Sequence, residues 1–120
     1  YTATYTPTDN VTDTSNVITV DNTGVADSAG NAGLSTTSTA NYDVDTVEPT
    51  VSISMDDTAL EVGDTSTVTF TFSEVVTGFA AADVTVANGS ITEPTSADGG
   101  ITYTATYTPT DNVTDTSNVI

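Results

Sequence analysis

The chain has 120 residues, with 17 Asp and Glu but no Lys, Arg, His or Cys, so its formal net charge at pH 7 is -17. This composition excludes nucleic acid and anionic membrane surfaces as partners, because phosphate recognition depends on neutralisation by Lys and Arg. Disulfide bonds are excluded as well, and no signal peptide pattern or apolar run of membrane-spanning length occurs, so we expect no direct membrane contact.

The predicted elements are β-strands throughout. Apolar and polar residues alternate with a period of two, and helical periodicity is absent. The alternation is clearest in STVTFTF and ITYTATYT, where one face is aromatic or aliphatic and the other carries threonines, as in half-buried antiparallel strands. Strands separated by short turns, without helices, predict a β-sandwich. The candidates, in chain order, are SNVITV (15–20), TTSTANYDV (36–44), TVSIS (50–54), STVTFTF (66–72), DVTVAN (83–88), SITEPT (90–95) and ITYTATYT (101–108).

One eighteen-residue sequence occurs twice. YTATYTPTDNVTDTSNVI occupies residues 1–18 and again residues 103–120, an offset of 102. An offset of this size is about one immunoglobulin-like domain, so it predicts a tandem array of near-identical domains. A proline in DVDTVEPTVS suits the start of a strand and marks the expected boundary. We therefore expect residues 1–46 to be the C-terminal part of one repeat and residues 47–120 the N-terminal part of the next. A complete repeat would be this second part followed by the equivalent of residues 19–46.

The acidic residues fall almost entirely in the connections between the predicted strands. Calcium takes roughly six to eight oxygen ligands in flexible geometry, and loops with closely spaced Asp and Asn supply such oxygens. The lack of basic residues leaves these carboxylates without a salt-bridge partner, and the lack of His and Cys argues against zinc and copper. We therefore expect several Ca2+ ions per repeat. The candidate ligands are Asp56, Asp57, Asp64, Asp111 and Asp115 at one end of the sandwich, with Asp9 and Asp13 in the first copy; Glu74, Asp83, Asp98, Asp21, Asp27 and Asn31 at the other end; and Asp43, Asp45 and Glu48 in the linker.

The linker group has the largest expected consequence. Asp43 and Asp45 are two residues apart, which puts both on one face of an extended chain. A calcium ion bound by both residues would make a flexible junction between repeats rigid. Two alternatives stay open: magnesium, which usually keeps most of its waters, and acids that simply solvate the loops without binding a metal.

A resemblance to a known family follows from three segments. They are VEPTVSISMDDTALEVGDTSTVTFTFSEVVTGFAAADVTV, then ITYTATYTPTD, and a loop that contains ADSAGN. Together they resemble the bacterial immunoglobulin-like extender repeat of giant RTX adhesins exported by type I secretion, among them ice-binding adhesins of marine bacteria. The resemblance covers essentially the whole chain in permuted order. It implies a seven-stranded, calcium-dependent antiparallel sandwich, an extracellular location on the bacterial cell surface, and a spacer function that projects a distal binding module.

We expect a structural function and no enzyme activity. The chain has no His or Cys to serve as base or nucleophile and no Gly-x-Ser-x-Gly motif. Paired carboxylates would need a sugar-binding cleft with aromatic platforms, and the chain has no Trp. The alternative function is that the repeat itself binds ice, a glycan or another cell. Threonine rows resemble some ice-binding faces, although a sheet twist of roughly 20° per strand works against a flat array.

The expected partners are identical repeats arranged head to tail. In a complete repeat the two termini would lie at opposite ends, about 40 Å apart. The linker from Asp45 to Pro49 spans at most about 17 Å, so residues 1–46 cannot easily complete the sandwich begun by the rest of the same chain. We therefore expect strand complementation between chains, with residues 1–18 and 103–120 competing for one strand position.

Overall fold

The computed structural model describes all 120 residues. It contains nine β-strands and two three-residue 3-10 helices, and neither helix has the length and apolar character that crossing a membrane requires. The backbone forms two compact units, here called unit 1 (Tyr1–Glu48) and unit 2 (Pro49–Ile120). Every strand pair is antiparallel, which confirms the predicted all-β antiparallel fold.

The structure has nine short strands where the resemblance implies seven for a complete repeat. Three of the seven predicted segments are each interrupted and become two strands, and one segment forms no strand. The strands are β1 Thr12–Asn16, β2 Thr19–Asp21, β3 Thr36–Ser38, β4 Tyr42–Asp45, β5 Val51–Met55, β6 Ser66–Phe72, β7 Gly89–Ile91, β8 Thr95–Ser96 and β9 Thr102–Pro109.

Unit 1 is a long, interrupted hairpin. β1 pairs with β4 and β2 pairs with β3, and the first ladder contains an irregularity between Asp13 and Asn16. Val44 is its only buried apolar residue, at 8% exposure. Several other apolar side chains stay in water, including Leu34, which is 83% exposed. Unit 1 therefore has almost no core of its own.

Unit 2 is a sheet with the strand order β5-β6-β9-β7, and β8 also pairs with β9. Its core consists of Val68 and Phe70 from β6 and Ala105 and Tyr107 from β9, all buried. Phe79, from the connection after β6, packs edge to face on Phe70 with 5.0 Å between ring centroids. The threonines of both strands lie on the opposite face, as the alternation predicts.

The predicted strand at residues 83–88 is wrong. The 3-10 helix Ala81–Asp83 ends at the first residue of this segment, and the residues after it join no ladder. The Asp83 carboxylate accepts the N–H of Ala80, the residue before this helix, at 3.0 Å, so Asp83 serves the helix and not a strand. Val84 and Val86 still pack against the core. The apolar alternation of this segment therefore reflects burial against the core without strand pairing.

The two identical eighteen-residue copies adopt different structures. In the first copy, residues 1–8 form no strand and are exposed, whereas residues 12–16 form β1. In the second copy, β9 lies inside the sheet of unit 2, whereas residues 114–118 form no strand. Local sequence cannot cause this difference. It follows from the available partners, because β4 pairs with the first copy and β6 with the second.

Candidate metal sites in the acidic loops

The strand register of unit 2 separates its acidic loops into two groups. Met55 pairs with Val68, so the loop between β5 and β6, with Asp56, Asp57 and Asp64, leaves one end of the sheet. Residues 110–118 follow β9 at that same end. The connection after β6, with Glu74, lies at the other end, where Phe72 donates its N–H to the Ile101 carbonyl at 2.9 Å.

Neither unit assembles a metal centre from these acids. Nowhere does the structure bring together three Asp or Glu side chains in an arrangement that could hold a metal ion. The donor chemistry fits calcium, because every candidate offers carboxylate or amide oxygens and none offers nitrogen or sulfur donors typical of zinc. The predicted ligands are therefore chemically suitable but spatially dispersed.

Asp27 and Asn31 are brought together, and their contact closes a loop. The Asn31 side-chain amide donates to the Asp27 carboxylate at 2.8 Å, and the backbone N–H groups of Ala29 and Asn31 donate to the same carboxylate at 2.9 Å. The Asn31 side-chain bond and then its backbone bond lower the pKa of Asp27. The ordered carboxylate thus holds the turn that the sequence predicts as a metal loop.

Asp98 has a comparable structural function in unit 2. Its carboxylate accepts hydrogen bonds from the Thr102 N–H at 2.9 Å, the Ser96 hydroxyl at 2.8 Å and the Ile101 N–H at 3.2 Å. These bonds, those from Thr102 above all, hold the pKa of the Asp98 carboxyl well below its ordinary value. Asp98 therefore ties the β8–β9 turn to the first residue of β9.

Seven more predicted ligands also accept hydrogen bonds. Asp21 caps the 3-10 helix Asn22–Gly24, because Thr23 donates its N–H at 2.9 Å and its hydroxyl at 2.6 Å to that carboxylate. The Thr23 side-chain bond is the main cause of a lowered Asp21 pKa. The other six each accept at least one bond, and they are Asp13, Asp45, Asp57, Asp64, Asp83 and Asp115.

Six predicted ligands accept no hydrogen bond at all. Five of them are exposed and one, Glu74, is half-buried. Their oxygens have no competing donor within the protein and are the carboxylates most open to a cation. They are Asp9, Asp43, Glu48, Asp56, Glu74 and Asp111.

Thr46 is a linker residue that the sequence did not single out. Its hydroxyl donates to the Thr8 carbonyl at 2.7 Å and accepts the Val11 N–H at 3.0 Å. The Asn10 N–H also donates to the Thr46 carbonyl at 3.3 Å. Thr8 and Asn10 flank Asp9, so these bonds hold the backbone around Asp9 next to Thr46, which follows Asp45 in the linker. In a chain so rich in threonine, one more Thr gives no sequence signal of this function.

The threonine rows on the outer face of unit 2 are in register. Thr67 pairs with Thr106 and Thr69 pairs with Thr104 across β6 and β9. These side chains are exposed or half-buried. Threonine is common on the solvent face of a strand because its branched side chain fits the pleated surface, so the rows are explained by the fold alone.

Comparison with known proteins identifies related sequences at the family level. A family model described as a bacterial Ig-like domain matches residues 1–44 and, separately, residues 45–120. No curated protein and no solved structure matches the chain. The two successive matches together span all 120 residues.

Proposed function

Because this chain belongs to the bacterial Ig-like domain family, we propose that it is a structural spacer repeat of a bacterial cell-surface adhesin. One observation carries the proposal: two successive matches to the same domain family lie in a chain whose residues 1–18 recur identically at 103–120. Such repetition is typical of tandem arrays, in which each unit contacts its neighbours and the array gains length. In this function the repeat holds a distal binding module away from the cell.

The finer assignment, to extender repeats of type I-secreted RTX adhesins, rests on the sequence resemblance. Bacterial Ig-like domains are often extracellular or surface-associated, and the absence of cationic residues suits an exterior rich in calcium. An ice-binding adhesin of a marine bacterium would be one such protein. Catalysis is not part of the proposal, because the acids occupy exposed turns and no His or Cys accompanies them.

Calcium is the proposed stiffening agent. A chain of net charge -17 without any side-chain cation repels itself, which destabilises a compact state. For the six carboxylates that accept no hydrogen bond, no donor within the protein offsets this repulsion. We propose that Ca2+ binds among the loop acids and, through Asp43, Asp45 and Glu48, at the junction between repeats. Binding to the folded state alone would stabilise it by about 2.7 kcal/mol per site at a hundredfold excess of calcium over the dissociation constant.

The test is thermal unfolding of the chain with calcium and with EDTA. For a domain of this size, 1 kcal/mol shifts the melting temperature by about 4–8 °C, so one site predicts a decrease of roughly 10–20 °C in EDTA. Magnesium at matched ionic strength is the control, because it screens charge without satisfying the same coordination. If the melting curves in EDTA and in calcium coincide, calcium does not bind the folded chain. If calcium and magnesium stabilise the chain equally, the effect is charge screening and not specific calcium binding.

A further inference from the structure

One asparagine of unit 2 precedes a glycine, and the fold gives each of the two residues its own structural reason. The chain has eight asparagines, and Asn88 is the only one followed by Gly. We propose that Asn88 is a chemical modification site, which converts without an enzyme to aspartate or isoaspartate, and that the Tyr107 hydroxyl slows this conversion. The inference does not depend on the spacer function or on calcium.

The reaction is an attack of the backbone on a neighbouring side chain. The Gly89 nitrogen forms a bond to the Asn88 Cγ, the Cγ–Nδ2 bond breaks, and Nδ2 leaves as ammonia with the proton of the Gly89 N–H. Water then opens the cyclic imide at either of its carbonyl carbons. Opening at Cγ gives aspartate, whereas opening at the backbone carbonyl carbon gives isoaspartate, whose main chain runs through Cγ. Only acyl transfer and hydrolysis occur, so water is the sole co-reactant.

Steric demands of the fold explain why this reactive pair occurs. Asn88 has a φ of 50°, in the left-handed region that Asn adopts more readily than most residues. Gly89 lies against the Tyr107 ring, and an added Cβ would overlap the ring atoms. The same missing Cβ leaves the Gly89 nitrogen without a side chain to shield it. The contacts of this turn therefore favour Asn followed by Gly, the pair with the least steric hindrance to imide formation.

The attacking nitrogen takes no part in the β7–β9 ladder. Hydrogen-bonded and non-bonded positions alternate along an antiparallel pair of strands. Thr110 donates its N–H to the Asn88 carbonyl at 2.7 Å, and Thr92 donates its N–H to the Thr106 carbonyl at 3.0 Å. Residues 88, 90 and 92 therefore direct their backbone groups toward β9, and Gly89 directs its N–H away from β9. Pairing with β9 does not engage the nucleophile.

The peptide group between Asn88 and Gly89 must rotate before the attack, and the Tyr107 hydroxyl opposes this rotation. The hydroxyl donates to the Ala87 and Asn88 carbonyls at 2.8 and 3.0 Å. These successive carbonyls thus point the same way, as in a left-handed turn with a ψ of about +47°. At that ψ the Gly89 nitrogen and the Asn88 Cβ lie on opposite sides of the Cα–C bond. Ring closure needs both on the same side, so the bonds to the Asn88 carbonyl must break first.

The Asn88 side chain is held as well, and its conversion replaces attraction with repulsion. Its amide donates to the Asp115 carboxylate at 3.0 Å and to the Asn118 side-chain carbonyl at 2.6 Å. An ionised aspartate at position 88 can only accept hydrogen bonds, and it places a second carboxylate beside Asp115. Isoaspartate also lengthens the main chain by one atom directly before β7, where Thr110 bonds the Asn88 carbonyl. Either product therefore weakens the contacts around the start of β7.

The test follows the 120-residue chain over time in mildly alkaline buffer, where the Gly89 N–H loses its proton more readily. Peptide mapping by mass spectrometry locates each conversion, and chromatographic retention separates isoaspartate from aspartate. Asn10 and Asn112 are internal controls. They have left-handed φ values of 58° and 62° but precede Val, whose branched side chain hinders the attack. We expect Asn88 to convert first, and conversion of either control as fast as Asn88 overturns the proposed site.

Two tyrosine variants of β9 test the control of the rate. Tyr107→Phe removes the hydroxyl that holds the Asn88 carbonyl, and we expect it to speed the conversion of Asn88 about two- to tenfold. Tyr103→Phe is the matched control, because the Tyr103 hydroxyl donates to the Val76 carbonyl at 3.1 Å and not to Asn88. It should leave the rate close to that of the wild type. Equal acceleration by both variants would mean that conversion requires global unfolding of unit 2, which overturns control by the Tyr107 hydroxyl. An unchanged or slower rate in Tyr107→Phe overturns it as well.

Discussion

The different environments of the two sequence copies can be measured by truncating the same tyrosine in each. Tyr107 is 6% exposed, and its hydroxyl donates to the Ala87 and Asn88 carbonyls at 2.8 and 3.0 Å. Tyr5 has the same sequence neighbours but is 54% exposed, with one edge contact to Tyr42. Tyr107→Ala should therefore remove a core side chain, and Tyr5→Ala should remove a surface one.

The two losses should differ several-fold. Truncation of a buried aromatic side chain to alanine costs about 3–5 kcal/mol, whereas loss of one exposed aromatic pair costs at most about 0.5–1.5 kcal/mol. Unit 2, with about 70 residues, has an expected stability of about 4–11 kcal/mol. Tyr107→Ala thus brings unit 2 close to its unfolding threshold, whereas Tyr5→Ala changes an exposed side chain of unit 1 and leaves unit 2 folded.

Urea unfolding followed by far-UV circular dichroism, at low protein concentration, measures both variants. The free energy of unfolding comes from the midpoint and slope of the transition. Tyr5→Phe and Tyr107→Phe are the controls that remove only the hydroxyl. If Tyr5→Ala costs as much as Tyr107→Ala, both copies lie in equivalent buried positions, and the partner-dependent structure of the duplicated sequence is wrong.

The sequence predicts the sheet core well because the physical cause is local. In β6 and β9 every second residue is apolar, and a strand places alternate side chains on opposite faces. The buried residues Val68, Phe70, Ala105 and Tyr107 follow from that alternation. Ile101, also predicted to face inward, lies one residue before β9 and is 38% exposed. The bounds of a strand are thus less predictable than its faces.

The sequence cannot predict which copy of a duplicated segment forms a strand. Residues 1–18 and 103–120 contain identical local information, and only their distant partners distinguish them: β4 for the first copy, and β6, β7 and β8 for the second. The acidic loops show a second limit. Sequence places Asp27 and Asp98 in loops, yet their hydrogen bonds depend on which backbone N–H groups the turn directs toward them. Calcium ligation stays a prediction, whereas turn closure is observed.

Two further substitutions test the contacts that hold unit 2 together. Gly89→Ala should cost about 1–3 kcal/mol in a thermal melt, because the added methyl group would meet the Tyr107 ring, whereas Gly24→Ala faces open space and should stay within about 1 kcal/mol of the wild type. A Gly89→Ala variant as stable as the wild type would mean that the Tyr107 ring moves to make room for the methyl group. Asp98→Asn should lower the melting temperature above about pH 5, because an amide cannot accept all the bonds from Thr102 and its neighbours. The folded-state pKa of Asp98 is depressed, so its stabilisation is complete above the unfolded value of about 4 and is lost as the pH falls through the folded value. The difference in melting temperature between wild type and Asp98→Asn should accordingly shrink in acid. A difference that stays constant from pH 7 to below pH 3 would show that the charge of Asp98 does not strengthen these bonds.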